Sequence, residues 1–233
     1  MSGFFTNCPL EPPHPITGVA MECRADTDPH KINLTIGAYR DANGNPCVLE
    51  CVREAEGIIY HQACDHEYLM GDGLPEFVSA AQVLMFGADS TPLKENRVFS
   101  TQSVAGTGSI RLAFDFLKYV LPNSSVYVPD VTWPTHPYVL ACAGYTVSQY
   151  RYIDSNGTGF DFDGMLKDLR ACPDRSIVLM HSCAHNPTGV DPTEDEWCKI
   201  LEVRLRISRL LFVSCIICVL LTGVQREISV SLL

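Results

Sequence analysis

Between residues 97 and 200 the hydrophobic pattern switches repeatedly between a period of two and a period near 3.6, and few architectures accommodate that. Arg97–Val104 reads as a strand. Ile110, Ala113, Phe114 and Leu117 then make one stripe of a helix beginning near Ser109 and stopped by Leu121-Pro122-Asn123. Val126–Val128 reads as a short strand, Pro137–Ala143 as a helix ended by Gly144, Thr146–Ile153 as a strand, and Phe160–Ala171 as a helix with Asp161 or Asp163 near its start. Ser176–Ser182 (SIVLMHS) is an apolar run of strand length, which marks a strand buried on both faces. Asp191-Pro192-Thr193-Glu194 opens another helix, with Asp191 as its N-cap and Pro192 in its first turn. Strands alternating with helices predict an α/β fold, a three-layer α/β/α arrangement around a mainly parallel sheet.

The chain has 233 residues, enough to bury roughly 70% of its unfolded surface in one sizeable core. With 46% hydrophobic and 19% charged residues it is neither disordered nor a coiled coil. Its net charge of −10, unrelieved by any Lys/Arg stripe, argues against nucleic acid as a partner. The eleven cysteines are odd in number and irregular in spacing, which suits reduced thiols. The first twenty residues carry no basic and apolar leader and no Arg-rich transit pattern, so the expected location is cytoplasmic.

Both ends differ from the body. Residues 8–17 hold Pro9, Pro12, Pro13 and Pro15 and read as an extended arm. Leu210–Leu221 (LLFVSCIICVLL) is apolar almost throughout, and even extended to Val224 it reaches 15 residues, short of the roughly 20 a membrane span needs. A membrane partner is therefore not expected. A strand-like buried or out-of-register segment, a membrane-associating tail and a stretch without evolved structure are all compatible with it. The Cys215/Cys218 pair inside it lacks partner ligands and reads as chance spacing.

Three strand ends carry residues suited to chemistry. Gly106, Thr107 and Gly108 form a small-residue turn at the start of a helix, whose free N–H groups and dipole favour an anion such as phosphate; tight packing explains such a turn equally well. Trp133, just past the Val126–Val128 strand, lies where open α/β sheets bind ligands and offers a stacking face, or else fills core. His181-Ser182-Cys183-Ala184-His185-Asn186-Pro187-Thr188-Gly189 follows the buried strand. His181, Cys183 and His185 would share a face if the strand continued, but the spacing is awkward for a metal, so no metal site is assigned. Cys183 is likewise a weak nucleophile candidate. Asn186, before a proline free to be cis, is a rigid amide suited to a ligand oxygen. A phosphate cradle, an aromatic face and a fixed amide together suit a phosphorylated planar cofactor such as pyridoxal phosphate.

These residues also resemble a known family, the aspartate aminotransferases among the fold-type I pyridoxal-phosphate enzymes, over about residues 4–199. The resemblance is carried by Asn33–Arg40, Glu67-Tyr68-Leu69 with Gly73-Leu74, Gln102–Gly108, Val131-Thr132-Trp133, His181–Gly189 and Asp191-Pro192-Thr193. It implies that Gly106 and Thr107 bind the cofactor phosphate. Trp133 would stack on the pyridine ring and help hold a substrate carboxylate, Asn186 would bond the ring oxygen and substrate, and Gly37 would touch substrate. Tyr68 would reach the phosphate of a neighbouring subunit, implying a homodimer. His136 and His181 would support the ring-nitrogen network. It further implies an N-terminal arm and small-domain segment over 1–45 and part of a cofactor-binding large domain over 46–200, with 201–233 unlike the family.

The sequence departs from the family pattern in three ways. Ala105 stands where the family has Ser, which weakens the phosphate site, and Val131 replaces a proline, so a trans bond is expected there. No counterpart is found for the Schiff-base Lys, for the acid and tyrosine that address the cofactor ring, or for the arginines that clamp dicarboxylates. The resemblance therefore implies amino-group transfer between L-aspartate or L-glutamate and their 2-oxo acids by descent. The chain itself is expected to be a truncated form without a catalytic lysine and with no appreciable turnover alone. A non-catalytic fragment pairing with a full-length subunit and a non-functional frameshifted product are the alternatives.

Overall fold

The computed structural model describes residues 15–35, 37–206 and 210–214. The chain divides into two compact units, one ending at Glu67 and the other beginning at Tyr68. In the first, α1 (Pro15–Ala25) and α2 (Glu50–Gln62) flank a turn in which Asp41 Oδ1 accepts the N–H groups of Asn43 and Asn45, both at 2.9 Å. Pro15 belongs to α1 rather than to an extended arm, because a proline's missing N–H costs nothing in a helix's first turn. The other three prolines lie outside the described residues.

The second unit contains α3 (Pro75–Phe86), α4 (Thr91–Lys94), α5 (Ala105–Val120), β1 (Val126–Pro129), α6 (Thr135–Cys142), β2 (Val147–Tyr150), α7 (Phe162–Ala171), β3 (Ile177–His181), α8 (Glu194–Arg206) and β4 (Leu210–Ser214). The four strands lie in the order β2-β1-β3-β4 and every pairing is parallel. Alternation along β3 builds both cores. Ile177 and Leu179 pack with Ile110 and Phe114 of α5 and Val139 and Leu140 of α6. Val178 and Met180 face the opposite way, onto Met165 and Leu169 of α7 and Ile200 and Val203 of α8. The result is the three-layer α/β/α arrangement expected. From β1 the chain steps outward to β2, whereas β3 and β4 lie on β1's other side. The direction reverses between β1 and β3, and in open parallel sheets that crevice, at the carboxyl ends of the strands, is where ligands bind.

Three expectations are corrected. Arg97–Val104 is not a strand: Phe99 and Val104 are exposed, and Gln102 donates its N–H to Asp72 O at 2.9 Å rather than to a ladder. A period of two describes an extended chain, and extension becomes a strand only with a neighbour to pair. The helix after it begins at Ala105, four residues before Ser109. Asp191 does not cap α8. Thr193 and Glu196 do so reciprocally, with Thr193 N–H and Oγ1 donating to Glu196 Oε2 at 2.7 and 2.8 Å. By contrast, Asp161 is the N-cap of α7, its Oδ1 accepting from Gly164 N–H at 2.9 Å. The apolar tail contributes Leu210–Ser214 as β4, registered on β3 from Ile177↔Leu210 to His181↔Ser214. The remainder of that tail, including Cys215 and Cys218, lies outside the described residues.

Candidate active site

Parallel strands joined by antiparallel helices place the amino termini of α5 and α6 and the carboxyl ends of β1 and β3 on one edge of the sheet. At α5 the N-cap Val104 has no capping side chain, and the N–H groups of Ala105, Gly106 and Thr107 have no protein acceptor among the described residues. Gly106 is half-buried and Thr107 exposed, so this turn presents unsatisfied donors and the positive end of a 16-residue helix to solvent. Ala105 holds φ +48°, a left-handed backbone that costs an L-residue roughly 1–2 kcal/mol.

After β1, Trp133 packs against the Ile110–Phe114 core while remaining half-exposed, and meets His136 edge-on at 5.3 Å between ring centroids. Trp133 therefore does pack on core, and part of its ring remains accessible. His136 is buried on α6, and His181 is buried at the end of β3. Their rings stand 5.1 Å apart at 87°.

The hydrogen bonds fix where the protons sit. Asn186 N–H donates to His181 Nδ1 at 3.0 Å, so that nitrogen is the acceptor and Nε2 carries the proton. His181 Nε2 lies 3.4 Å from Thr132 Oγ1, whose hydroxyl is then free to donate to His136 Nδ1 at 2.9 Å. The proton of His136 is left on Nε2, which is buried with no partner among the described residues. Burial, reinforced by His181, holds His136 down at about 4. Burial also takes His181 to about 4 against the opposing pull of Asp191. His185 falls to about 3 through burial, with His181 and His136 adding to it. All three rings are neutral at pH 7, so this is an ordered hydrogen-bond chain rather than a cationic cluster.

Asn186 follows on the same loop, half-buried, and its peptide bond to Pro187 is the only cis bond among the described residues; Val131 is trans, as expected. The Asn186 carboxamide makes no hydrogen bond among the described residues. β3 ends at His181, so the alternation that would align Cys183 with the histidines stops there. Tyr68 is fully exposed, ahead of a turn in which Gln102 Oε1 accepts Leu74 N–H at 3.0 Å. Gly37 lies exposed in the first unit.

Sequence reasoning missed Thr132, which joins the two histidines, and also Asp130, Tyr152 and Asp191, which hold the loops. Asp191 was obscured because Asp-Pro-Thr-Glu imitates a helix start. Tyr152 lies in the Thr146–Ile153 segment, which the sequence marks only as a strand.

The donor set suits one kind of guest. Free amides and a hydroxyl at a helix amino terminus fit a phosphate, a half-exposed indole fits a planar ring, and a buried N–H and an unused carboxamide fit that ring's polar atoms. The sequence has five lysines. Lys31 belongs to the first unit, Lys94 pairs with Asp89 at 3.0 Å, and Lys118 covers the Tyr145 ring near the far end of α5. Lys167 lies within α7, and Lys199 on α8 lies over Phe162.

The α/β sheet thus gathers these donors at its switch point. The aminotransferase class I and II family model matches residues 29–216, and the chain belongs to that family. It is 43% identical over 202 residues to the mitochondrial aspartate aminotransferase of Dictyostelium discoideum, covering 87% of this chain and 47% of that protein. With cytoplasmic isozyme 2 of Arabidopsis thaliana aspartate aminotransferase it shares 47% over 189 residues, or 81% and 47% of the two chains. Among solved structures, the aromatic-amino-acid aminotransferase of Burkholderia pseudomallei covalently bound to pyridoxal phosphate superposes with a TM-score of 0.87 at 34% identity, covering 91% of this chain and 53% of that one. The chain thus spans about half the length of the curated relatives it matches.

Proposed function

We propose that this chain carries the cofactor-holding part of an aspartate aminotransferase, a site for pyridoxal phosphate serving amino-group exchange between L-aspartate or L-glutamate and their 2-oxo acids. The observation that carries the reading is the ordered chain Asn186–His181–Thr132–His136, ending in a buried N–H on the sheet edge that also holds Gly106, Thr107 and Trp133.

Bound there, pyridoxal phosphate would supply an electron sink for labilising the bonds of an amino acid's α-carbon. The protein's contribution is positional. Gly106 and Thr107 hold the phosphate at the α5 amino terminus, Trp133 covers one face of the ring, and Asn186 bonds an oxygen on the ring or substrate. His136 and His181 keep their protons at stated nitrogens, so the ring meets a fixed dipole. Gly37 contacts substrate, and Tyr68, fully exposed, serves a partner copy's phosphate in a homodimer or in a pair with a longer subunit. A cytoplasmic setting agrees with one relative, while another is mitochondrial. No helix among the described residues is long and apolar enough to cross a membrane.

Lys94 pairs with Asp89 and Lys118 and Lys199 lie over the Tyr145 and Phe162 rings, so on this reading the cofactor is held without a covalent bond and turnover by this chain alone is negligible. The test is a titration with pyridoxal phosphate, followed by its absorbance, on the wild-type chain and on Trp133→Ala. Saturable binding weakened about tenfold in the variant supports the reading. Binding unaffected by Trp133, or none, opposes it.

A further inference from the structure

The loop after β3 is fixed more heavily than a turn of its length requires. Asp191 receives Ala184 N–H on one carboxylate oxygen at 2.7 Å and His185 N–H on the other at 2.9 Å. Ala184 sits at φ +49°, in the left-handed region that is unfavourable for an L-residue. The buried His185 ring stacks on Tyr152, with centroids 3.8 Å apart and planes 15° from parallel, and its Nδ1 bonds Thr188 Oγ1 at 2.8 Å. Thr188 Oγ1 also accepts Val190 N–H at 3.2 Å.

Tyr152 ties this loop to the one after β1. Its hydroxyl donates to Val190 O at 2.8 Å. Its backbone N–H donates to Asp130 Oδ1 at 3.1 Å, and the same oxygen accepts Val131 N–H at 2.8 Å. One buried tyrosine therefore holds the loop bearing Trp133 through its backbone and the loop bearing Asn186 through its ring and hydroxyl. Within this frame the Asn186 carboxamide makes no hydrogen bond among the described residues.

We infer that Asp191 and Tyr152 are positioning residues, which set the Asn186 carboxamide at a fixed place relative to the Trp133 ring so that a planar ligand is gripped from both loops at once. The inference rests on the proposed cofactor site for its ligand, but the clamp can be tested without one.

The experiment uses the full chain with Asp191→Asn and Tyr152→Phe. The first removes the charge and one acceptor; the second keeps the stack and removes only the hydroxyl. Amide hydrogen exchange without ligand should show protection at Asn186 falling about tenfold or more in Asp191→Asn, with Leu179 in β3 unchanged. Affinity for pyridoxal phosphate should fall about tenfold in Asp191→Asn and about threefold in Tyr152→Phe, while affinity for inorganic phosphate, which meets only the α5 turn, stays within about twofold. Unchanged Asn186 protection would overturn the inference whatever the ligands do, and so would parallel loss of both affinities. A wild-type chain that binds phosphate but not pyridoxal phosphate would defeat the functional reading alone, leaving hydrogen exchange to decide the clamp.

Discussion

The backbone N–H of Asn186 points into Nδ1 of His181 at 3.0 Å, and this single bond sets the tautomer of two histidines. It makes His181 a donor through Nε2, turns the Thr132 hydroxyl toward His136, and leaves the His136 proton on the nitrogen that has no partner among the described residues. The residue proposed to touch the ligand oxygen and those proposed to support the ligand ring are therefore one hydrogen-bonded unit.

Acid should weaken the fold through these rings. His136 and His181 have folded values of about 4 and His185 about 3, below the roughly 6.5 of an exposed imidazole. Below pH 6.5 the unfolded chain binds protons that the folded chain refuses, so stability falls as pH drops, and the slope flattens once the folded values are passed. Unfolding free energies from urea melts between pH 7 and pH 4 should decline with a slope of up to about 1.4 kcal/mol per pH unit for each neutral ring. His136→Gln should flatten part of that decline.

Replacing Thr132 with Val keeps the shape but removes the hydroxyl between the two rings. His136 Nδ1 would then be buried without a donor, at a cost of about 1–3 kcal/mol in urea unfolding. Histidine ¹⁵N shifts should show the His136 proton no longer fixed on Nε2.

At Ala105 two substitutions separate strain from binding. Ala105→Gly relieves the left-handed backbone and should raise stability by about 1 kcal/mol. Ala105→Ser leaves the strain but supplies a hydroxyl beside Gly106 and Thr107, so inorganic phosphate should bind about tenfold more tightly, as read by isothermal titration.

Borohydride distinguishes grip from bond. Lys118 and Lys199 lie over the Tyr145 and Phe162 rings, so borohydride treatment of a stoichiometric pyridoxal phosphate complex should leave no reduced Schiff base at either lysine, as read by peptide mass.

The layered sheet was legible because β3 is buried on both faces and the helices around it carry clean stripes, as Ile110 and Phe114 illustrate. Gly106, Trp133 and Asn186 were legible as candidates from local sequence alone, as a small-residue turn opening a helix, an aromatic just past β1 and an amide on the loop after β3. The supporting frame was hidden. Thr132 meets His181 across 49 residues of chain and Tyr152 meets Val190 across 38, and no local period encodes such pairings. Arg97–Val104 misled for the complementary reason, since its pattern is local while strand pairing is not.

Backbone and side-chain amide shifts recorded while pyridoxal phosphate is added test the central claim most directly. The account predicts saturable changes at the Gly106 and Thr107 amides, the Trp133 indole and the Asn186 carboxamide, with inorganic phosphate reproducing only the first two. Changes confined to other surfaces, or none at millimolar ligand, would contradict it.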